Sequence, residues 1–389
     1  MSIIILRYEI SRSLLYFSII VGLLIRLSFI STMPIGSDDV YRYMWDGKVQ
    51  AHGINPYLYT PDNSKLNYLH SELLPASINF KNLKTVYFPL SQWFFLVAYS
   101  VSGESIWGYK LLLFICELFT IIVLLKLINS FELKNKLVLF YALCPLPIIQ
   151  FAVDSHLDGF GLPLLILSIF FYAKNKKIIA LIFLGLSLSI KPVGLMLIPI
   201  LFLNEKKWYD RIKAVLIPSA VLFVQFLPYM FTANPFEGLF IFAENWTFNG
   251  SAFQIINYFI NNNQVSRIIS GFLLLLSVLP IYLGKLNFNA KIYYAVLLLL
   301  IFSPVVHPWY ITWLAVLLPI YPAVSGVLFA SLSSLTAVTI MNYQLYGIWK
   351  DYWQVLTVEY TPVIIFLIIE LIKLHQKMEL PITNLFRKV

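Results

Sequence analysis

The sequence predicts an all-α polytopic membrane protein with about twelve spans, in a range of roughly ten to thirteen. Hydrophobic residues make up 59% of the 389 residues, and charged residues make up 12%. A soluble domain carries about 45–50% apolar and about 25% charged residues. Apolar runs recur along the whole chain, so the bilayer is the solvent that the fold must suit. This composition excludes a soluble enzyme, a disordered protein and a small secreted scaffold.

Loop charges orient the spans. The first apolar run, residues 14–33, follows Arg7 and Arg12, so the positive-inside rule places the N-terminus in the cytoplasm. This run is too long for the core of a signal peptide and has no small-residue cleavage pattern after it, so we expect an uncleaved span. Alternating basic loops along the rest of the chain place the C-terminus in the cytoplasm as well.

We expect a single membrane domain, residues 1–389. Residues 34–87 form the first extracytoplasmic loop, whose isolated aromatics favour short interfacial helices. The apolar residues 88–101 are interpreted as re-entrant or interfacial. Residues 231–263 form a second large extracytoplasmic loop that contains no Lys or Arg. The net charge of +9 is attributed to cytoplasmic loops that face anionic lipid, and we expect no binding of nucleic acid.

The apolar run 178–203 is interrupted at Lys191-Pro192. One straight span would place the basic cluster 206–213 outside, against the positive-inside rule. Since proline ends or kinks a helix, we predict two short spans that meet at Lys191 on the outer side. An ionisable side chain in an apolar run indicates a functional site, with snorkelling to the interface as the alternative. An ammonium beside broken helix ends suits a phosphate or pyrophosphate headgroup.

Residues able to do chemistry come from distant parts of the chain but share the outer face. This convergence is the main functional signal in the sequence, and its members are Asp38, Asp39, His156, Asp158, Lys191 and His307.

Asp38 and Asp39 stand directly after the first span. Adjacent acids can form a solvated turn or a helix N-cap. An aspartate at a membrane interface can also act as general base on an acceptor hydroxyl, or hold a cation. Neighbouring carboxylates disfavour each other's ionised form and so raise one pKa towards a useful range.

His156 and Asp158 lie in a very short loop between two apolar runs, spaced so that both can face inward at the start of a helix. A satisfied polar turn is the alternative, above all for Asp154. A divalent cation would need more ligands than this pair, although Asp39 could be a third. Metal binding is therefore the minority interpretation, and no metal or other cofactor is expected. The two cysteines lie inside apolar runs, so we expect neither a disulfide nor a metal site from them.

His307 precedes Pro308 at a second break, which faces the same side as Lys191. Its imidazole could donate a hydrogen bond to a phosphate leaving group. A lone histidine is more often structural, and Trp309 with Trp313 could be only an aromatic belt.

Residues 244–251 combine amides and aromatics, among them Trp246 and Asn249. These side chains suit stacking on a sugar ring and hydrogen bonding to its hydroxyls. Arg26 and Glu117 lie within apolar spans, where we expect them to pair with one another. Contact of Arg26 with a lipid phosphate is the alternative.

Together these motifs resemble the GT-C superfamily of membrane glycosyltransferases. The chain is most similar to bacterial polyprenol-phosphomannose-dependent mannosyltransferases and, more distantly, to the catalytic subunit of the first GPI-anchor mannosyltransferase. The motif Ser-Asp-Asp-Val-Tyr-Arg-Tyr-Met-Trp-Asp-Gly, residues 37–47, is the most specific. The other motifs follow in the expected order over roughly residues 10–320, namely 53–57, 87–90, 156–158, 191–192, 246–249 and 307–310.

The resemblance implies a GT-C-like bundle in which an acid of the first outer loop is the catalytic base. Asp39 is the better match and Asp38 its neighbour; the related GPI enzymes have D-x-D here, whereas this chain has adjacent acids. It also implies a lipid-phosphate-sugar donor, in agreement with the lack of a Gly-rich nucleotide loop. Lys191, His307 and Arg42 would stabilise the departing phosphate in an inverting displacement. Sugar or acceptor contacts are assigned to His156, Asp158, Trp246, Asn249, Trp309 and Tyr310.

The predicted activity is transfer of a hexose, mannose by resemblance, to a lipid-linked or cell-envelope glycan. Expected partners are a polyprenyl-phosphate sugar donor, a glycan or glycolipid acceptor and membrane lipid. A flippase or transporter of lipid-linked glycans is one alternative, but it would place ionisable groups near mid-membrane and often shows repeats. A polymerase or ligase with an oligosaccharide-diphosphate donor is another. The expected setting is the bacterial plasma (inner) membrane with an extracytoplasmic active site; an endoplasmic-reticulum enzyme with a lumenal site is the alternative.

Overall fold

The computed structural model describes residue 5 and residues 7–379, and these residues form a helical bundle. The two ends of the chain, which are predicted to be cytoplasmic, lie outside the described residues. Short helical turns occur at Ser64–Leu69, Asn135–Val138, Leu139–Ala142, Pro145–Pro147, Ile148–Val153, Pro192–Leu197 and Ser333–Thr336. The longer helices, numbered in chain order, are α1 (Arg12–Ser28), α2 (Asp39–Ala51), α3 (Pro89–Ser102), α4 (Trp107–Ser130), α5 (Asp158–Ala173), α6 (Lys177–Leu188), α7 (Ile198–Asn204), α8 (Trp208–Met230), α9 (Glu237–Asn245), α10 (Ser251–Ile260), α11 (Asn263–Leu283), α12 (Phe288–Phe302), α13 (Pro308–Ala315), α14 (Val324–Leu332), α15 (Ala337–Tyr346) and α16 (Trp353–Glu379).

Five helical segments in the described part of the chain are long and apolar enough to cross a membrane: α4, α8, α11, the combined segment Val324–Tyr346 and most of α16. A sixth results if Asn135–Ala142 and Pro145–Val153, bent by 43° at their break, form one span. The chain is therefore a multi-pass membrane protein. The predicted count of about twelve spans is not confirmed, because several apolar runs form helices shorter than a span needs, among them α5, α6 and α12.

The predicted helix break at Lys191-Pro192 is confirmed. Helix α6 ends at Leu188, helical backbone resumes at Pro192, and Lys191 between them is extended, with φ −153° and ψ 137°. The second break is also present, since α13 begins at Pro308 directly after His307. Proline lacks an N–H and has a fixed φ, which suits the first turn of a new helix. Both breaks therefore leave a polar side chain immediately before a new helix.

The segment predicted as the first outer loop contains α2 and the turn Ser64–Leu69, in agreement with the expected short helices. Helix α2 packs against α3, the helix formed by the apolar residues that follow the loop. The second predicted loop contains α9 and α10. Helix α5 is central, since it packs against α4, α6 and α13, and its leading residues therefore lie between widely separated parts of the chain.

Arg26 of α1 and Glu117 of α4 form the expected buried ion pair, with Nε 2.8 Å from Oε2. Arg26 also donates to the carbonyl of Ala142 at 2.7 Å, and the hydroxyl of Tyr141 donates to Glu117. Since hydrocarbon offers no water to satisfy such groups, mutual pairing is what allows them inside a membrane protein. The cluster ties α1 and α4 to the broken segment that leads to α5.

Candidate active site

Four segments meet at one end of the bundle: the start of α2, residues 154–158 leading into α5, Lys191 after α6, and residues 303–310 leading into α13. We call this region the catalytic recess. The structure brings together seven of the predicted site residues here through direct contacts, namely Asp39, His156, Asp158, Lys191, His307, Trp309 and Tyr310. The convergence predicted from the loop pattern is thus present in the fold.

Asp39 is the first residue of α2, and its Oδ2 lies 3.8 Å from Nδ1 of His156. Forty per cent of its side chain is exposed, so the carboxyl is partly buried. This burial raises the pKa of Asp39 to about 6, and the Lys191 cation opposes the shift. The neighbouring carboxylates of Asp38 and Asp158 raise it further. The result is an accessible carboxylate that is more basic than an ordinary aspartate.

Asp158 is the anchor of Lys191. The ammonium lies 2.8 Å from Oδ1 of Asp158 and 3.3 Å from the centroid of the Tyr310 ring. The same carboxylate oxygen accepts a hydrogen bond of 2.6 Å from the indole of Trp313. The Asp158 side chain is 1% exposed and that of Lys191 is 17% exposed. Burial lowers the pKa of Lys191, whereas Asp158 and Asp39 counteract the effect.

Four rings form a continuous stack along one wall of the recess. Trp309 lies between His156 and His307, with ring centroids 3.6 and 4.1 Å away, and Phe248 covers the far side of His307 at 4.4 Å. Burial lowers the pKa of His307 to about 3, with Lys191 adding to the shift. Burial, His307 and Lys191 likewise lower the pKa of His156. Both imidazoles are therefore neutral at pH 7.

His156 is fully buried, and neither ring nitrogen has a hydrogen-bond partner among the described residues. A buried polar group without a partner is costly. Nδ1 of His156 lies 3.8 Å from Oδ2 of Asp39, a separation too long for a direct hydrogen bond.

Asn249 lies behind the stack and not in it. Its backbone is left-handed, with φ +50°, and its Nδ2 donates to Oε2 of Glu359 at 3.0 Å. Its neighbour Phe248 pairs with the segment before His307, since its N–H donates to the Pro304 carbonyl at 3.0 Å and its carbonyl accepts from the residue-306 N–H at 2.7 Å. Asn249 therefore fixes the wall that carries His307.

Three further predicted residues lie outside these contacts, namely Trp246, Asp38 and Arg42. Trp246 packs edge-on against Phe80, with ring centroids 4.7 Å apart. Asp38 accepts a hydrogen bond from the Asn79 amide at 3.1 Å.

The guanidinium of Arg42 binds two partners within the protein. Its Nε pairs with Oδ1 of Asp46 at 2.9 Å, one helical turn away, and its Nη1 donates to the Leu83 carbonyl at 2.9 Å. Asp46 also accepts from Thr85 at 2.6 Å and from Gln92 at 3.0 Å. This buried network joins α2 to α3 beneath Asp39.

Two residues that were not predicted as site residues, Trp313 and Asp154, also hold the recess together. Trp313, for which an aromatic belt is the alternative given above, is fully buried, and its indole donates to Asp158. Its i, i+4 spacing from Trp309 is the local signal that both lie on one helix face. Asp154, for which a satisfied polar turn is the alternative given above, is satisfied by the backbone N–H groups of Ile35 at 3.0 Å and Gly36 at 2.7 Å. It thereby ties the approach to α5 to the loop before Asp39.

No group of three or more His, Cys, Asp or Glu side chains in the described part of the chain is placed to hold a metal ion. Asp158, considered above as a metal ligand beside Asp39 and His156, is paired with Lys191.

Residues 21–205 match the family model "Alpha-(1->6)-mannopyranosyltransferase, N-terminal domain". The match confirms the resemblance to membrane glycosyltransferases. It covers the segments that supply Asp39, His156, Asp158 and Lys191, whereas His307 lies beyond it. No curated protein matches the chain.

Two solved structures, both of ArnT from Cupriavidus metallidurans, share the fold. The match to the apo structure has a TM-score of 0.52 and 15% sequence identity. It covers 86% of this chain and 65% of the ArnT chain. The match to the structure bound to undecaprenyl phosphate has a TM-score of 0.51 and 15% sequence identity. It covers 94% of this chain and 72% of the ArnT chain. The chain thus spans about two thirds of the length of ArnT and has an ArnT-like fold.

Proposed function

We propose that this protein transfers a hexose, mannose in the favoured case, from a polyprenyl-phosphate donor to a hydroxyl of a lipid-linked or cell-envelope glycan. The family match over residues 21–205 supports mannose. The complex of ArnT with undecaprenyl phosphate supports a polyprenyl-phosphate partner. The single observation that carries the proposal is the exposed Asp39 carboxylate, which lies beside His156 and within the field of the Lys191–Asp158 pair.

Asp39 is the general base in this proposal. A base works best when its pKa lies near the working pH, and burial raises the pKa of Asp39 to about 6. The carboxylate takes the proton of the acceptor hydroxyl, whose oxygen forms a bond to the anomeric carbon. The bond from that carbon to the phosphate oxygen breaks, and its electron pair leaves with the polyprenyl phosphate. One displacement inverts the anomeric centre.

Lys191 and His307 are assigned to the departing phosphate. The accessible part of the Lys191 ammonium would share its charge between Asp158 and the phosphate oxygens as negative charge develops on them. Burial keeps His307 neutral, so it contributes a ring N–H donor and not a second cation. Arg42, engaged by Asp46, would act on this site through its field. Trp309 and Tyr310 are the proposed sugar contacts.

Sugar transfer in proteoliposomes tests the proposal. Wild type and Asp39→Asn are supplied with an acceptor extract and a panel of polyprenyl-phosphate sugars, and the rate of donor consumption is measured. Loss of a general base is expected to slow transfer by about 10²- to 10⁴-fold while donor binding is kept. Asp62→Asn, at an exposed acid in the same predicted loop, is the matched control and keeps the wild-type rate.

Three outcomes contradict this assignment. A fully active Asp39→Asn variant together with an inactive Asp38→Asn variant would move the base to Asp38. Consumption of oligosaccharide diphosphates only would indicate a polymerase or ligase. Movement of lipid-linked glycan across the vesicle without transfer would indicate a flippase.

A further inference from the structure

A strongly basic surface lies at the end of the bundle opposite the catalytic recess. Helix α6 extends about 18 Å at 1.5 Å per residue, with Lys191 just after its far end. Its near end and the start of α8 form the basic surface, which we define as residues 174–177 and 205–213. These two segments contain seven Lys or Arg and two carboxylates, a net charge of +5.

Both carboxylates of the basic surface are already neutralised. Glu205 pairs with Lys177 at 2.6 Å, and its side chain is only 7% exposed. Asp210 pairs with Lys213 at 3.4 Å. Four other lysines are exposed and form no ion pair within the part of the chain that the structure describes, namely Lys174, Lys176, Lys206 and Lys207. The surface therefore presents uncompensated positive charge.

Apolar surface adjoins these cations. A recess lies between the two segments. Its apolar lining is Ile178, Leu181, Leu201 and Ala214, and its polar lining consists of Tyr172 and the two ion pairs formed by Lys177, Glu205, Asp210 and Lys213. Trp208 and Tyr209 are 64% and 67% exposed, and Leu216, two turns further along α8, is 60% exposed. Exposed Trp and Tyr beside Lys are typical of the headgroup level of a bilayer.

We propose that the basic surface binds the phosphate headgroup of an anionic membrane lipid, with an acyl chain lying along the exposed side of α8. Juxtaposed cations and apolar surface match a molecule that has an anionic head and an apolar tail. A soluble phosphate would leave the apolar part uncovered. The site is separated from the catalytic recess by the length of α6, so this lipid is distinct from the sugar donor.

Native mass spectrometry of the purified full chain tests the site. Dissociation constants are measured for phosphatidylglycerol and, as a neutral lipid of the same chain length, phosphatidylcholine. Wild type binds phosphatidylglycerol more tightly, and removal of the four unpaired lysines by Lys→Gln at 174, 176, 206 and 207 raises its Kd by about tenfold or more. The same change has little effect on phosphatidylcholine.

A charge-matched variant supplies the control. It carries Lys→Gln at four exposed lysines elsewhere, Lys65, Lys126, Lys350 and Lys373, and keeps the wild-type Kd. Equal loss in both quadruple variants, or no preference for the anionic lipid in wild type, would overturn the proposal.

A second measurement keeps all the lysines and follows the fluorescence of Trp208. Tryptophan quenching by lipids brominated near the headgroup is compared between wild type and Trp208→Phe, and the difference is assigned to Trp208. Stronger quenching of Trp208 by brominated phosphatidylglycerol than by brominated phosphatidylcholine supports the site; equal quenching overturns it.

Discussion

The ammonium of Lys191 lies 2.8 Å from Oδ1 of Asp158. Lys191 belongs to a helix break, and Asp158 is the first residue of α5, so their contact joins the break to the central helix. Trp313 completes the arrangement by donating to the same carboxylate oxygen at 2.6 Å. A lysine that the sequence marks as costly in an apolar run is thus held by a dedicated buried partner.

Replacing Lys191 with methionine is expected to destabilise the protein by about 3 kcal/mol, because the buried Asp158 carboxylate then lacks its counter-ion. The double variant Lys191→Met with Asp158→Asn should recover most of that stability but no sugar transfer. Unfolding free energies in mixed micelles, together with transfer rates, check both statements. A double variant as unstable as the single one would show that the cost does not come from the unpaired carboxylate.

The pH profile should report Asp39. A general base acts in its deprotonated form, and burial raises the pKa of Asp39 to about 6. We expect kcat/KM to fall as the pH drops through about 6, since kcat/KM reports groups of the free enzyme. Both recess histidines have lowered pKa values and stay neutral in this range. An inflection near 4, the value of an ordinary aspartate, would contradict the assignment.

Asn249 should act through the wall that carries His307. Asn249→Gly keeps the left-handed backbone available but removes the amide that donates to Oε2 of the buried Glu359, at an expected cost of about 1–3 kcal/mol. Asn249→Ala should cost about 1 kcal/mol more, since a Cβ strains a positive φ. Unfolding free energies measure the order, and kcat is expected to fall in both variants. Equal stability of the alanine and glycine variants would show that the positive φ of residue 249 does not strain a Cβ.

Gly36→Ala should disturb the loop before Asp39. A Cβ at this glycine would lie 2.6 Å from Oδ2 of Asp154, the carboxylate that accepts the Gly36 N–H. Overpacking of this kind costs about 1–3 kcal/mol, and the shift should lower kcat through Asp39. Gly271→Ala is the matched control, because nothing lies within 4 Å of a Cβ there. Transfer assays that find both variants equally active would contradict the prediction.

Local features made much of the site predictable. The Lys191-Pro192 and His307-Pro308 breaks follow from proline chemistry, and the pairing of Arg26 with Glu117 follows from the cost of lone charges in a membrane. Span number was harder to predict, because bends and short helices divide the apolar runs. The spacing of four between Arg42 and Asp46 is an ion-pair signal on a helix, whereas contact of Arg42 with the donor phosphate stays a prediction.

The sequence by itself determined a multi-pass helical protein with polar breaks at the ends of its apolar helices, because hydropathy and proline act within a few residues. Only the tertiary structure decided which of these polar groups face one another. Asp158 and Lys191 are paired, Trp309 separates two histidines, and Asn249 serves Glu359 more than 100 residues away. Such partners, and the raised pKa of Asp39, depend on how distant helices pack and exclude water, which no local spacing specifies.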